Sequence, residues 1–164
     1  MPCFLQRRFG LVMAMSVALA LLASPVPAEG QLDIVAKFED ADLGLDVVTY
    51  TNPDVTASES RVALLGFRSR SVRTSFVFSL KEWVSLLDLW TKVVKALSSS
   101  WNVVGSLTET GTTDRSHLTA SAGPGVKFTV TSRKGVSITY VLANADMARF
   151  EKALFRVKDF LSQK

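Results

Sequence analysis

Basic side chains gather at two predicted turns, and their types and spacing suit the binding of an anion. Arg68, Arg70 and Arg73 surround a turn between two predicted strands, and Arg133 and Lys134 lie in a second such turn. A guanidinium group presents a planar fork of N–H donors that can hold a phosphate or carboxylate through two hydrogen bonds. Charged turns also serve solubility alone. The sequence therefore leaves both an anion-binding site and a solvated turn open.

Other chemistries find little support in the sequence. The chain has one histidine, His117, on the polar side of a predicted strand, and one cysteine, Cys3, so a His/Cys metal site is not expected. Glu39, Asp40 and Asp42 could offer oxygens to calcium, but they lack the EF-hand spacing and are expected in a solvated loop. The G-x-S-x-G elbow and the Walker phosphate loop are absent. We expect no enzyme activity, no cofactor and no metal.

The first 28 residues predict a cleavable export signal. Two arginines precede an uncharged run over 9–23, and small residues at Val26 and Ala28 indicate a cleavage site before Glu29. The run is shorter than the roughly 20 residues that a membrane-spanning helix needs. An uncleaved anchor and an organellar transit peptide are the alternatives. We expect an exported protein, periplasmic or secreted, with no stable membrane span after cleavage.

Charge is unevenly divided along the rest of the chain. Residues 29–60 hold eight acidic residues and one basic residue, whereas residues 61–164 hold seven acidic and sixteen basic residues. The two stretches can neutralise each other in the fold. Alternatively, a basic face remains available to an anionic partner.

Alternation of apolar and polar residues predicts eight short strands. They cover Leu32–Phe38, Leu45–Tyr50, Arg61–Phe67, Thr74–Phe78, Trp101–Thr108, Ser116–Ser121, Val126–Thr131 and Ser137–Leu142. One helix is predicted to begin at a capping box formed by Ser79 and Glu82, and another covers about Asn144 to Leu161. Trp83 and Trp90 lie on the apolar stripe of the first helix. They are expected in the core or, alternatively, in a homodimer contact.

The two halves of the chain predict an internal duplication. Residues 62–98 align without a gap onto residues 126–162, at an offset of 64 positions, with six identities and matched apolar positions. The alternative is a chance likeness of two amphipathic segments. Pseudo-repeats at about 32–98 and 101–162 then form a single α+β domain over 29–164. Its architecture is a repeated ββββα unit with antiparallel sheets and each helix packed on a sheet.

In layout, the repeated segments Val62–Ser98 and Val126–Ser162 resemble the Whirly and PUR families of single-stranded nucleic-acid-binding proteins. The resemblance implies nucleic-acid binding on a sheet surface, with the N-terminus acting as an organellar presequence. The Lys-Gly-Lys-Ala-Ala-Leu motif of Whirly proteins is absent, and likeness of fold does not transfer function. The preferred expectation is a small exported binding domain for an unknown protein or anionic ligand, with nucleic-acid binding as the alternative.

Cleavage of the predicted signal should leave a mature chain that begins at Glu29. N-terminal sequencing of the protein recovered from each cell fraction should read Glu-Gly-Gln-Leu outside the cytoplasm. Recovery of the intact 164-residue chain from the cytosol would contradict export.

Overall fold

The computed structural model describes residues 30–53, 60–110 and 115–163, so the predicted export signal lies outside the described residues. All eight predicted strands and both predicted helices are present. Their order is β1 (Gln31–Asp40), β2 (Leu43–Thr51), β3 (Arg61–Ser69), β4 (Val72–Phe78), α1 (Leu80–Lys95), β5 (Asn102–Thr108), β6 (His117–Ala122), β7 (Val126–Thr131), β8 (Ser137–Leu142) and α2 (Asn144–Ser162).

The strands form two antiparallel sheets of four strands, each in chain order. The first sheet is β1-β2-β3-β4 and the second is β5-β6-β7-β8. Each sheet is followed by one helix. This is the duplicated ββββα layout of α+β class that the sequence predicts. Among the described residues, neither helix is long and apolar enough to cross a bilayer.

Each helix packs against the sheet of the other half of the molecule. Helix α1 contacts β5 and β6 as well as β4, whereas α2 contacts β1, β2 and β3. The Trp90 ring of α1 lies 6.4 Å from the ring of Phe128 in β7 and 5.0 Å from that of Phe150 in α2, measured between centroids. The Trp83 indole Nε1 donates to the Leu154 carbonyl of α2 at 2.9 Å. The two halves therefore share one continuous core.

Both tryptophans of α1 are buried within a single chain. The expectation that they belong to the core is confirmed. The chain itself encloses both rings, and a homodimer through the helix that carries them stays a prediction.

A β-bulge interrupts the first strand of each sheet at matching places. Val35 is the extra residue in β1 and Val104 is the extra residue in β5. An extra residue reverses which face the following side chains take. Ile34 is 53% exposed whereas Phe38 is 1% exposed, and Val103 is 72% exposed. The regular alternation predicted for these two strands is therefore wrong across the bulges.

Strand register supports the duplication but corrects the gap-free alignment. Phe78 pairs with Ala63, and Leu142 pairs with Val126. Phe78 and Leu142 are 64 positions apart, but Ala63 and Val126 are only 63 apart. Counted between these matched pairs, the β7–β8 hairpin thus holds one residue more than the β3–β4 hairpin. Residues of β3 correspond to β7 at an offset of 63, one position away from the sequence alignment.

Truncation of Trp90 to alanine should destabilise both halves together, because its ring joins α1 to β7 and α2. We expect the free energy of unfolding to fall by about 3–5 kcal/mol, the usual effect of removing a buried aromatic ring. Urea unfolding followed by circular dichroism measures it, and a single transition is expected.

Phe155→Ala is the matched control, since this aromatic ring of α2 is 51% exposed. It should change the free energy of unfolding by less than about 0.5 kcal/mol. Two separate transitions in Trp90→Ala, with one half still folded, would contradict the shared core.

Candidate functional site

The structure separates the five predicted basic residues into two groups, and the first group is neutralised. Arg68 Nη2 lies 2.5 Å from Glu39 Oε1, and Arg70 Nε lies 3.2 Å from Asp42 Oδ2. The hydrogen bond from Arg68, together with the charges of Lys37 and Arg68, lowers the pKa of Glu39. Acidic residues of the β1–β2 hairpin thus neutralise two bases at the β3–β4 turn.

The remaining three basic residues line one open groove of about 410 Å³, which we call the tip groove. Arg73 comes from β4 in the first half of the chain, whereas Arg133 and Lys134 come from the β7–β8 turn in the second half. Neither Arg73 nor Lys134 forms an ion pair with another described residue. The tip groove therefore offers cationic groups whose charge no carboxylate of the described residues neutralises.

Glu109 is the residue of the tip groove that sequence reasoning missed. Its side chain is 7% exposed and lies 3.5 Å from Arg133. Its carboxylate accepts hydrogen bonds from the backbone N–H groups of Val77 at 3.0 Å and Ser116 at 3.3 Å. A buried carboxylate needs such partners to offset its lost hydration. In the sequence it is one acid in a polar connection, with no spacing pattern that marks it.

Strand β4 presents an unpaired backbone edge to the tip groove. It is the last strand of the first sheet, and the Val77 N–H donates to Glu109 instead of to β3. Because β4 pairs with β3 in regular antiparallel register, the N–H groups of Ser75 and Arg73 point the same way as that of Val77. Neither group has a partner among the described residues. Such an edge is a template for another strand.

Glu82 fixes the segment that carries Glu109. Its carboxylate accepts from the Ser79 backbone N–H at 2.8 Å, which completes the predicted capping box at the start of α1. It also accepts from the Thr110 N–H at 2.9 Å and from the Thr110 hydroxyl. Burial raises the pKa of Glu82, but the hydrogen bonds from Ser79 and Thr110 outweigh burial and the net pKa is lowered. The carboxylate thus ties α1 to the β5–β6 connection beside the groove.

The remaining candidates of the sequence lie outside the tip groove. His117 is exposed on β6, with its Nδ1 3.0 Å from the Thr108 hydroxyl. Asp40 is exposed at the end of β1, beside the ion-paired Glu39 and Asp42. Within the described residues, His, Asp and Glu side chains form no cluster of three that could hold a metal ion.

Comparison of the chain with protein-family models and with curated proteins gives no match. The tip groove is therefore interpreted from its own geometry.

Substitution of Glu82 by glutamine should give a stability difference that depends on pH. The pKa of Glu82 is lower in the folded protein than its ordinary value of 4.5, so the charged carboxylate stabilises the fold at pH values above 4.5. This stabilisation is lost as the pH falls through the lowered pKa. Glutamine carries no such contribution. At pH 7 we expect Glu82→Gln to be less stable by about 0.3–1 kcal/mol, the usual range for a charge at a helix N-terminus.

Urea unfolding of both proteins between pH 7 and pH 3 tests this expectation. The difference should narrow below about pH 4.5, the ordinary value for glutamate. A difference that stays constant over the whole range would show that the charge of Glu82 does not stabilise the fold.

Proposed function

We propose that this protein is an exported, non-enzymatic binding module that holds an extended, acidic segment of a partner protein in the tip groove. The observation that carries the proposal is that cations from both halves of the chain meet beside an unpaired strand edge. Neither feature alone specifies a partner. Together they match a peptide that adds a strand to β4 and places carboxylates beside the basic side chains.

Charge complementarity supplies the preference for an acidic segment. Arg133 is partly engaged by Glu109, whereas Arg73 and Lys134 remain without an ion pair among the described residues. Ion pairs at an exposed groove are worth about 0.2–1 kcal/mol each and weaken with salt. The cations therefore set selectivity and register more than they set affinity.

Backbone pairing supplies the larger part of the affinity. The outward N–H and C=O groups of Arg73 and Ser75 are available, while Glu109 occupies the N–H of Val77. A peptide strand can therefore pair along the half of β4 next to the β3–β4 turn. The same carboxylate of Glu109 blocks pairing further along, which limits the length of the added strand.

Single-stranded nucleic acid is the second candidate, favoured by the same cations and by the duplicated layout. Proteins that bind single strands without sequence preference stack the bases on aromatic side chains. The outer face of the second sheet carries a row of hydroxyls in register across four strands, from Ser106, Thr119, Thr129 and Thr139. Beside this row Trp101 is 38% exposed, but the Lys127 ammonium lies over its ring at 4.1 Å and covers it. This surface favours the peptide over the nucleic acid.

Fluorescence anisotropy with two labelled probes tests the proposal. One probe is a peptide of alternating valine and glutamate, and the other is a single-stranded oligonucleotide of equal charge. We expect the peptide to bind more tightly, and Arg73→Gln/Lys134→Gln to weaken it roughly tenfold, as for the loss of two exposed ion pairs. The same peptide methylated on alternate backbone nitrogens should lose binding, because it keeps its charge but cannot pair with β4.

Lys81→Gln/Lys158→Gln is the control for lost charge, since both lysines are exposed on helices and neither lines the tip groove. Peptide binding should be unchanged in it. Equal peptide binding by the wild type and Arg73→Gln/Lys134→Gln would overturn the proposal. Tighter, salt-sensitive binding of the oligonucleotide would favour the nucleic-acid alternative.

A further inference from the structure

A second basic cleft, which we call the helix cleft, lies between the edge of β1 and helix α2. Its volume is about 330 Å³, and its cationic side chains are Arg149, Lys152 and Arg156 from α2. Residues Val35, Ala36 and Lys37 of β1 form its other side, where Lys37 offers its backbone carbonyl to Arg149. No carboxylate of the described residues lines it, and it shares no lining residue with the tip groove. The sequence alone does not reveal the cleft, because its β1 side lies more than a hundred positions before its α2 side.

Contacts within the chain hold Arg149, one of the cations of the helix cleft, in a fixed position. Arg149 Nη2 donates to the Lys37 carbonyl at 2.6 Å and lies 3.4 Å from Asp146 Oδ1. The Arg149 guanidinium carbon lies 4.3 Å from the centroid of the buried Phe38 ring. Arg149 therefore forms a fixed wall of the cleft, and an incoming group meets a preorganised surface.

The other cations have little or no compensation. Lys152 and Arg156 form no ion pair with another described residue. The Lys37 ammonium lies 3.9 Å from Glu39, beside Arg68, and therefore on the face of β1 opposite to the buried Phe38. The helix cleft thus keeps an excess of positive charge.

Spacing along α2 brings like charges together on one side of the helix. Arg149 and Lys152 are three positions apart, and Lys152 and Arg156 are four apart, so neighbouring pairs repel each other. The arrangement opposes folding slightly when the cleft is empty. An anion bound among these groups would remove that repulsion.

The duplication provides an internal comparison for the helix cleft. Helix α1 packs beside β5 as α2 packs beside β1, and buried residues match at an offset of 64, such as Leu86 with Phe150 and Val93 with Val157. At the same offset, the positions of Arg149, Lys152 and Arg156 are held by Ser85, Asp88 and Lys92. Helix α1 thus packs in the same way without a cluster of cations, so the packing of α2 does not require its three cations.

The bulge in β1 adds to the helix cleft. Val35 has no partner residue in β2, and Val35 and Ala36 line the cleft. A bulge redirects the side chains that follow it. In β1 the bulge precedes Phe38 and thereby turns its ring to the face where Arg149 lies over it.

From these observations we infer that the helix cleft binds a phosphate group, either as inorganic phosphate or as the terminal group of a phosphomonoester. A phosphate dianion carries several acceptor oxygens, which arginine forks and a lysine ammonium can share. The inference stands apart from the tip groove, because it uses other residues on another side of the strands.

Isothermal titration calorimetry at low salt tests the inference with two probes, inorganic phosphate and glycerol phosphate. Lys152→Gln/Arg156→Gln should weaken the binding of the preferred probe at least tenfold. Lys92→Gln/Lys95→Gln on α1 removes the same charge and should leave binding within twofold of wild type. Arg73→Gln/Lys134→Gln should also bind phosphate normally, so failure of one proposal is distinguishable from failure of the other.

Urea unfolding without phosphate provides the second measurement. Lys152→Gln/Arg156→Gln should be at least as stable as wild type, because it relieves like-charge repulsion; a purely structural role would make it less stable. Stronger binding of inorganic phosphate identifies a free-anion site, and stronger binding of glycerol phosphate identifies a monoester site. Equal binding by wild type and Lys152→Gln/Arg156→Gln, or no binding of either probe at millimolar concentration, would overturn the inference.

Discussion

The exchange of helices between the two halves is the constraint on which the rest of the structure depends. Neither sheet is covered mainly by the helix that follows it in its own half, since α1 lies on β5 and β6 while α2 lies on β1, β2 and β3. Phe38, Trp90, Phe128 and Phe150 meet where these contacts converge, with ring centroids 5.0–6.4 Å apart. Burial of apolar surface is the dominant favourable term in folding. Here that burial is available only when both halves fold together.

This shared core positions both basic clefts. The tip groove needs β4 of the first half beside the β7–β8 turn of the second, and the helix cleft needs β1 of the first half beside α2 of the second. Glu109 and Glu82 then fix the β5–β6 connection against β4 and α1 through hydrogen bonds to backbone N–H groups. Each cleft is therefore a product of the crossed packing and would not exist in an isolated half.

Local patterns predicted the elements of the fold well, because each depends on residues close in the chain. The capping box of Ser79 and Glu82 is present as predicted, and every strand lies within a few residues of its predicted bounds. Periodicity could not reveal the bulges at Val35 and Val104, since an extra residue is visible only once its partner strand is in place. It also could not reveal which sheet each helix covers, because an apolar stripe fits either sheet equally well.

The basic residues show the same limit of sequence reasoning. Charge and spacing drew attention to the two turns, but only register shows that Glu39 reaches Arg68 and that Asp42 reaches Arg70. Glu109 carried no local signal, and the two sides of the helix cleft, residues 35–37 of β1 and residues 149–156 of α2, lie more than a hundred positions apart in the chain.

The duplication makes it possible to distinguish residues that the fold requires from residues that it does not require, because the two halves can be compared position by position. Residues that the fold requires should be alike in both halves, whereas residues that the fold does not require can differ between them. The buried pairs Leu86 with Phe150 and Val93 with Val157 follow the first rule, and the matching bulges do so as well. The cations of the helix cleft follow the second, because a serine, an aspartate and a lysine hold the corresponding positions of α1. Like charges on one helix face oppose folding. Their presence on α2 but not on α1 is therefore better explained by a bound ligand than by a contribution to stability.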